Sequence, residues 1–495
     1  MKKTLYIFLS IVGLNMVSTS CDNMVDIEPK FTVDADNFFN TPGDYERALT
    51  GAYDLMQTSY LDIWIGEIAS DNAIAGGESV TDSEGLHQID NMTHGGENAE
   101  LRSLFRWMYS GIARANFIFI NQNKIDFEGK TKILAEASFL RAYYYFTLVK
   151  YFGDVPYVDK LLSADDVEDQ SRTPKAEVYA KIEADLIFAA ENLDWTNPVK
   201  GRITKGAALA LLGKVYLYQD KFTEAASTLD EVIDDGPYAL ATNFAGIFRV
   251  ANETNNPETV FDIEYVGIEG GGYGCFVCLE GFAAVGFHGI RGYAGPIYAD
   301  GNSYNLPTQD LVDEFETNDP RLAASILDIE AFKASQPNPA EVIYVVGGGG
   351  HTGYYNHKYL KRIAELGQND NDLTSPVNHK VIRYADVLLM AAEAHNRKQN
   401  PDDTKARNYL NQVRQRPTVN MPVVNASGAA LTQAIWHERR VEFAGEGLHF
   451  FDLVRTGRAA AQISGFTNSK NELFPIPQVE IDLAGGNWPQ NQGYN

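Results

Sequence analysis

Two cysteines that stand three residues apart are the first candidates for chemistry in this sequence. Cys275 and Cys278 form a Cys-x-x-Cys motif, a spacing that occurs in zinc sites and in thiol redox centres. A zinc site needs four ligands, and His288 is the nearest further candidate, with nothing to complete the set. Redox chemistry of the thioredoxin type needs the pair at the start of a helix, whereas glycines surround this motif. We therefore expect a local disulfide or two free thiols in a loop, and no metal site.

A second candidate is the segment HERRVEFAGEG, which begins like the zinc-binding motif H-E-x-x-H of metalloproteases. The second histidine is absent, because Val441 stands in its position. The chain has 66 acidic residues, so many pairs of carboxylates could act as in a glycosidase. However, no pair stands in a sequence context that marks it as catalytic. The charges of this segment and of the next helix instead predict an ion-pair network that fixes the last helices. Its members are Glu438, Arg439, Arg440, Glu442, Asp452 and Arg455.

The third cysteine, Cys21, follows a short apolar segment at the N-terminus. Lys2 and Lys3 precede the apolar run Leu5–Leu14, which is shorter than the roughly 20 residues of a membrane-spanning helix. The pattern is typical of a secretory signal. Small residues directly before Cys21 resemble the processing site of bacterial lipoproteins, which predicts cleavage before Cys21 and its acylation. An ordinary secretory signal with an incidental cysteine is the alternative interpretation.

Composition restricts the class of partner. The formal net charge is −25 at pH 7, scattered along the chain without a long acidic tail. A strongly acidic protein repels phosphate backbones, so we expect no nucleic-acid partner. Aromatic residues make up 12% of the chain, with 26 Tyr and 26 Phe. This content can fill a large core and still leave aromatic side chains for a surface.

Apolar residues at three- and four-residue spacing predict helices in the first half and near the end of the chain. Around residues 205–235, one apolar stripe ends before Gln219 and a second begins at Phe222, which predicts two antiparallel helices resembling a tetratricopeptide repeat. Trp107 lies at helical spacing with apolar neighbours and is predicted to belong to the core. The pattern indicates about four helix pairs, at residues 43–58/101–123, 132–151/174–193, 208–218/222–233 and 384–392/406–413.

The middle of the chain differs from these helical parts. It is rich in glycine and aromatic residues, as in EGGGYGCFVCLEGF and VVGGGGHTGYYNHKY. Glycine allows left-handed backbone conformations and a close approach to a ligand. Long irregular connections are usually functional or disordered, and this one is too aromatic for disorder. We expect ordered loops with a few short strands, and such loops often carry binding sites.

Several longer stretches together resemble the SusD/RagB family of outer-membrane nutrient-binding lipoproteins. They follow the family's order and cover nearly the whole mature chain, and the lipoprotein signal agrees with them. Among them are RAYYYFTLVKYFGDVPY (141–157), NPETVFDIEY (256–265), LPTQDLVDEFETNDPRL (306–322), VIRYADVLLMAAEAHN (381–396) and HERRVEFAGEGLHFFDLVRTGR (437–458).

The resemblance implies a mostly α SusD-like fold, with four tetratricopeptide-like helix pairs and a loop-rich region that carries short strands. It divides the chain into a lipoprotein signal peptide, residues 1–20, and a SusD-like domain, residues 21–495. Within that domain, the helical scaffold covers about residues 31–255 and 381–495, and the loop-rich binding region covers about residues 256–380.

The resemblance also implies a function. The protein would be anchored by lipid to the outer membrane, exposed at the cell surface, and would capture oligosaccharide for a SusC-like TonB-dependent transporter. The family is non-catalytic, so neither an enzymatic activity nor a cofactor is expected. Two alternatives stay open: a peptide-binding member of the same family, and a surface glycoside hydrolase.

For a sugar ligand, aromatic side chains would cover the flat faces of the rings, and polar groups would fix the hydroxyls. Arg291 and Asp71 are the candidates for hydrogen bonding, since arginine donates several bonds in a fixed fork. The loop from Asp71 to His94 lies where the family places ligand contacts, which makes His87 a further candidate. The aromatic candidates are Tyr273, Phe276, Tyr293, Tyr298 and Tyr354.

Overall fold

A computed structural model of the chain describes residues 38–268, 272–367 and 373–494. The predicted signal peptide, residues 1–20, and the predicted acylation site Cys21 lie outside these residues. The helices are α1 (Pro42–Asp54), α2 (Tyr60–Ile68), α3 (Glu84–Asp90), α4 (Ala99–Ile120), α5 (Lys130–Phe152), α6 (Ala164–Glu168), α7 (Lys175–Asn192), α8 (Lys205–Leu217), α9 (Phe222–Asp235), α10 (Ala283–His288), α11 (Gln309–Glu314), α12 (Arg321–Ser325), α13 (Ile329–Ser335), α14 (Tyr384–Arg397), α15 (Asp403–Arg414), α16 (Gly428–Glu442), α17 (His449–Arg455), α18 (Ala459–Gln462) and α19 (Gln478–Leu483). The strands are β1 (Ala73–Gly76), β2 (Thr259–Ile263), β3 (Tyr304–Pro307), β4 (Ile326–Asp328), β5 (Tyr354–Asn356) and β6 (His379–Arg383).

Four helix pairs form the scaffold, as the sequence predicts. They are α1 with α4, α5 with α7, α8 with α9, and α14 with α15. Successive pairs also contact each other, because α4 packs on α5, α7 on α8, and α9 on α14. The prediction of a mostly helical fold with four pairs and short strands is therefore confirmed.

The third and fourth pairs are neighbours in space although a long loop-rich segment separates them in sequence. The two ends of this segment meet, since β2 pairs antiparallel with β6 from Thr259↔Arg383 to Ile263↔His379. The loop-rich segment thus begins after α9 and ends before α14 at neighbouring positions of the helical stack. This explains the irregular spacing of the helix pairs in the sequence.

Local sequence signals define the ends and the close contacts of the long helices. Asn98 caps α4, because its side chain accepts a hydrogen bond from the backbone N–H of Leu101 at 3.1 Å. Gly153 ends α5 with a φ of 71°, which disfavours other residues. Where α4 crosses α5, a Cβ atom on Gly111 would lie 2.4 Å from the ring of Tyr144. The two helices therefore pack with glycine at their crossing point.

Two small sheets hold the loop-rich segment, and one of them includes β1 from the N-terminal part of the chain. β1 pairs antiparallel with β3, with Gly76 opposite Tyr304, and β4 pairs with β5. A hydrophobic core separate from that of the helical stack lies between these loops and includes Ile290, Leu306 and Leu327. The loops are thus held by packing of their own, beside the scaffold.

A buried ion-pair network joins the last helices to the rest of the chain. Glu442 contacts Arg321, Arg383 and Arg416, and Glu438 contacts Arg321 and Arg414. The other four predicted members also form ion pairs: Arg439, Arg440, Asp452 and Arg455. All six predicted residues thus form ion pairs that fix the last helices, but Arg439, Asp452 and Arg455 belong to a second cluster, with Asp386 and Glu393.

Candidate functional site

A cavity of about 450 Å³ opens between the helices α2 and α4 and the loops on either side of β1 and β3. Helix α2 contributes Tyr60 and Trp64, which stand four residues apart on one helix face. We call it the aromatic cavity, after the seven aromatic residues of its wall: Tyr60, Trp64, Trp107, Tyr273, Phe276, Phe287 and Tyr304.

The inner aromatic wall is packed and fixed. Trp64 lies edge-on to Tyr60 with 5.4 Å between the ring centroids, and edge-on to Phe287 at 4.5 Å. Its indole N–H donates a hydrogen bond to Nε2 of His288 at 2.9 Å. His288 is fully buried, and this burial lowers its pKa to about 3, so its ring is a neutral acceptor at neutral pH. The inner wall therefore keeps its shape without a ligand.

The outer wall carries the accessible aromatic surface. Tyr273 is 53% exposed, and Phe276 and Trp107 are half-buried. Tyr273 and Phe276 lie on one loop, with their rings perpendicular and 6.2 Å between the centroids. The hydroxyl of Tyr273 accepts a hydrogen bond from Nδ2 of Asn302 at 3.4 Å. These three rings are the ones that a bound molecule can cover.

A disulfide closes the turn that carries Phe276. Cys275 and Cys278 are bonded to each other, which settles the choice between a disulfide and two thiols. Nε2 of Gln57 donates a hydrogen bond to the carbonyl of Val277 at 2.7 Å, which ties the turn to the scaffold.

Charged groups stand opposite one another in the cavity wall. Nη1 of Arg291 donates a hydrogen bond to Oε2 of Glu78 at 3.2 Å, and its Nη2 lies 3.8 Å from Oδ2 of Asp82. Nε of Arg291 is buried and has no hydrogen-bond partner. On α4, Oε2 of Glu100 is likewise buried without a partner, and burial raises the pKa of that carboxyl. The wall therefore carries a guanidinium that is engaged by two carboxylates and a carboxyl group that forms no ion pair with another lining residue.

The short sheet of β1 and β3 brings these groups together. The backbone N–H of Gly77, directly after β1, donates to the carbonyl of Ser303 at 2.8 Å, directly before β3. The hydroxyl of Ser303 accepts from the backbone N–H of Arg291 at 2.9 Å. The loop with Glu78 and the loop with Arg291 thus meet at one strand end.

An aromatic surface with isolated hydrogen-bonding groups at its edge is suited to a particular kind of ligand. Such a ligand has flat apolar faces and a rim of hydroxyl groups, and sugar rings have this form. Among the described residues, no group of histidine, cysteine and carboxylate side chains is arranged to hold a metal ion. No described helix has the length and apolar composition needed to cross a membrane.

Three of the predicted site residues line the aromatic cavity: Tyr273, Phe276 and Arg291. Two others, Tyr293 and Tyr298, lie in the second hydrophobic core and are only 7% and 4% exposed. The hydroxyl of Tyr293 donates to the carbonyl of Pro296 at 2.6 Å, and that of Tyr298 lies 3.0 Å from Nε2 of His357. These positions do not fit the predicted role as ligand-stacking rings, because almost none of the surface of either residue is exposed.

Asp71 does not line the cavity either. Its carboxylate lies 2.9 Å from Nη2 of Arg440 and 2.9 Å from Nε2 of His449, which makes it part of the buried ion-pair network. Burial raises its pKa, but the hydrogen bond and charge of His449 and the charge of Arg440 outweigh this and lower it to about 2. Asp71 is thus engaged by the ion-pair network and lies away from the cavity wall.

The remaining two candidates lie outside the cavity wall. His87 is half-buried on α3, with its Nε2 atom buried and lacking a hydrogen-bond partner. Tyr354 donates a hydrogen bond from its hydroxyl to Oε1 of Gln309 at 2.8 Å and packs on a small core with Leu311.

The sequence analysis missed most of the helical wall. Trp107 was predicted to belong to the core. Its side chain packs against the hydrophobic core and also lines the aromatic cavity. Glu100, Ser103 and Trp107 stand at three- and four-residue spacing along α4 and line the cavity together. The sequence signal for this part of the site was the stripe of polar and aromatic residues along one face of α4.

Two protein-family models match the chain. One is described as SusD family and matches residues 249–494. The other is described as "Starch-binding associating with outer membrane" and matches residues 26–217. Between them they span nearly all of the chain after the predicted signal peptide.

Individual relatives agree with the family models. SusD-like protein P2 of Formosa agariphila is 28% identical over 513 residues, which cover 98% of this chain and 99% of that protein. A solved structure described as "Laminarin binding SusD-like protein" is 32% identical, covers 91% of this chain and 99% of its own, and superposes with a TM-score of 0.82. Surface glycan-binding protein A from Bacteroides fluxus is 26% identical and covers 92% of this chain and 100% of its own, with a TM-score of 0.80.

Proposed function

The chain belongs to the SusD family, and on that premise we propose that it captures oligosaccharides at the cell surface and delivers them to a SusC-like TonB-dependent transporter of the outer membrane. The observation that carries this proposal is the aromatic cavity. It combines accessible rings of Trp107, Tyr273 and Phe276 with the polar side chains of Arg291, Glu100 and Asn302 in the same wall.

Relatives support a glycan as the ligand and provide a first compound to test. A relative that is 32% identical is described as laminarin-binding, and one that is 26% identical as a surface glycan-binding protein. We therefore propose laminarin as the first candidate ligand. Starch is the second, because of the description of the family model that matches residues 26–217.

We infer binding without hydrolysis, in line with relatives that are described as binding proteins. Glycosidases commonly need two carboxyl groups that act on one bond. In the aromatic cavity, Glu78 and Asp82 both face the guanidinium of Arg291, and Glu100 forms no ion pair with a lining residue. The assay for new reducing ends tests this part of the proposal.

The proposed location depends on the N-terminal signal. Acylation of Cys21 would add two or three lipid chains, which is enough for stable anchoring to a membrane. The description of the second family model, which includes association with the outer membrane, supports this location. Mass spectrometry of the protein purified from its native membrane would test the anchor: we expect a chain that begins at an acylated Cys21.

The ligand is tested with the purified mature protein in affinity gels that contain laminarin, soluble starch or no polysaccharide, together with an assay for new reducing ends. We expect retardation by laminarin without new reducing ends. Retardation by none of the glycans, together with calorimetric binding of a casein peptide mixture, would overturn the proposal in favour of peptide capture. New reducing ends from pure protein would overturn the non-enzymatic part.

A further inference from the structure

We propose that the aromatic cavity selects neutral glycans and rejects anionic ones, such as chains of uronic acids or of sulfated sugars. The inference rests on the proposed glycan-binding function and adds the charge class of the ligand. Its basis is the balance of acidic and basic side chains in the cavity wall: the carboxyl groups of Glu78, Asp82 and Glu100 stand against the single guanidinium of Arg291.

The one cation in the wall is already compensated. Arg291 lies between two carboxylates, with Nη1 at 3.2 Å from Glu78 and Nη2 at 3.8 Å from Asp82. An anionic sugar that approached this guanidinium would meet both carboxylates at the same time. The side chain of Arg291 is 23% exposed and its guanidinium carries five N–H donors, so it can still donate a hydrogen bond to a neutral hydroxyl or ring oxygen.

The carboxyl group of Glu100 adds to the selection. Glu100 is half-buried, lines the cavity and forms no ion pair with another lining residue. A carboxyl group accepts hydrogen bonds from sugar hydroxyls, whereas the carboxylate of a uronic acid or a sulfate group has no proton to donate to it.

The charge of the whole molecule acts in the same direction. The chain carries a formal net charge of −25, so an anionic polymer is repelled before it reaches the cavity. Glu78 and Asp82 are partly exposed, with 70% and 38% of their side-chain surface accessible, so this repulsion is screened by salt.

Matched polysaccharide pairs separate charge from chain shape. The probes are laminarin and carboxymethyl laminarin, soluble starch and carboxymethyl starch, and hydroxyethyl cellulose and carboxymethyl cellulose. The affinity of the wild-type mature protein for each polysaccharide is measured by isothermal titration calorimetry at low salt. In any pair whose neutral polysaccharide binds, we expect its affinity to be about tenfold or more higher than that of the anionic polysaccharide. Raising the salt concentration should narrow this ratio.

A charge variant tests whether the cavity is responsible. In Glu78→Gln/Asp82→Asn, the guanidinium of Arg291 loses both anionic neighbours, so the neutral-to-anionic affinity ratio should fall several-fold. The matched control is Glu224→Gln/Asp235→Asn, which makes the same change in net charge at exposed positions of α9, outside the cavity wall. The control should keep the wild-type ratio.

The outcomes distinguish the two proposals. An anionic member that binds as tightly as its neutral partner overturns the charge selection and leaves glycan binding in place, as does an unchanged ratio in the cavity variant. Binding of no member of any pair overturns the proposed function itself, and the selection with it.

Discussion

The disulfide between Cys275 and Cys278 encloses Phe276, an aromatic residue of the cavity wall, in a short closed turn with 5.4 Å between the two α-carbon atoms. Tyr273, two residues before Cys275, carries the other accessible ring of the same loop. Beyond the disulfide, the turn is tied to the scaffold by the hydrogen bond from Gln57 to Val277 and by the packing of Phe276. A cross-link of this kind restricts the conformations of the free loop, and extracellular conditions preserve it.

We therefore predict that Cys275→Ser/Cys278→Ser weakens laminarin binding several-fold, because the rings of Tyr273 and Phe276 lose their fixed position before the ligand arrives. Calorimetry measures the affinity, and the melting temperature should change little, since the loop lies at the surface. Mild reduction of the wild type should reproduce the loss and should have no effect on the variant.

A readout without ligand accompanies this prediction. Chymotrypsin should cut the variant faster than the wild type after Tyr273 or Phe276, because a loosened turn is more accessible. Equal cleavage rates and equal affinities would show that the disulfide has no part in positioning these rings.

Trp107→Ala tests the helical side of the cavity. Removing an accessible ring should weaken laminarin binding by about 2 kcal/mol or more, the threshold for a hot-spot residue at an interface. The comparison variant is Trp195→Ala, because Trp195 is also half-exposed but lines a different cleft. The site would be misplaced if both variants lost affinity equally or if neither did.

Tyr298→Ala should act on stability and not directly on the ligand. Its ring is 4% exposed and packs edge-on against Phe332 at 5.0 Å, so the truncation leaves a void worth about 3 kcal/mol or more. Urea denaturation measures this loss. Tyr298→Phe, which removes only the hydroxyl near His357, should cost about 1 kcal/mol. A Tyr298→Ala protein with wild-type stability and lost laminarin binding would return this residue to the binding site.

The contrast between Tyr273 and Tyr298 shows where sequence-based prediction of the site ends. Both stand in glycine-rich loops, and nothing in their neighbouring residues separates them. Burial of Tyr298 is decided by Phe332 and by a core built from several distant segments. The same holds for Asp71. Its ion-pair partner Arg440 is distant in the sequence, so the spacing of neighbouring residues could not reveal the pair.

The helical scaffold was predictable for the opposite reason. The stripes of α8 and α9, and the break between them at Gln219, are properties of adjacent residues. Glycines at the crossings belong to the same local signal, as a Cβ atom on Gly213 would lie 2.5 Å from the side chain of Leu229. What spacing could not predict is that α9 packs on α14, because that contact spans the whole loop-rich segment.

Glu442, at the centre of the buried network, makes the stability of the fold depend on pH. Burial alone would raise the pKa of Glu442, but the charges of Arg416, Arg383 and Arg321 lower it to about 2. The folded state therefore binds fewer protons than the unfolded state between about pH 4.5 and pH 2. The stability contributed by this group is complete above that window and is lost as the pH falls through it.

Glu442→Gln should accordingly lower the free energy of unfolding at pH 7 by about 3–5 kcal/mol, since three buried arginines lose a charged partner. Urea titrations at several pH values measure both proteins, and the gap between them should close as the pH falls from 5 towards 2, because the wild-type carboxylate is protonated there. Asp194→Asn serves as the control, because its pair with Lys132 is exposed on both sides and should show no comparable gap. A gap that stays constant with pH would mean that Glu442 stabilises the fold through packing and not through its charge.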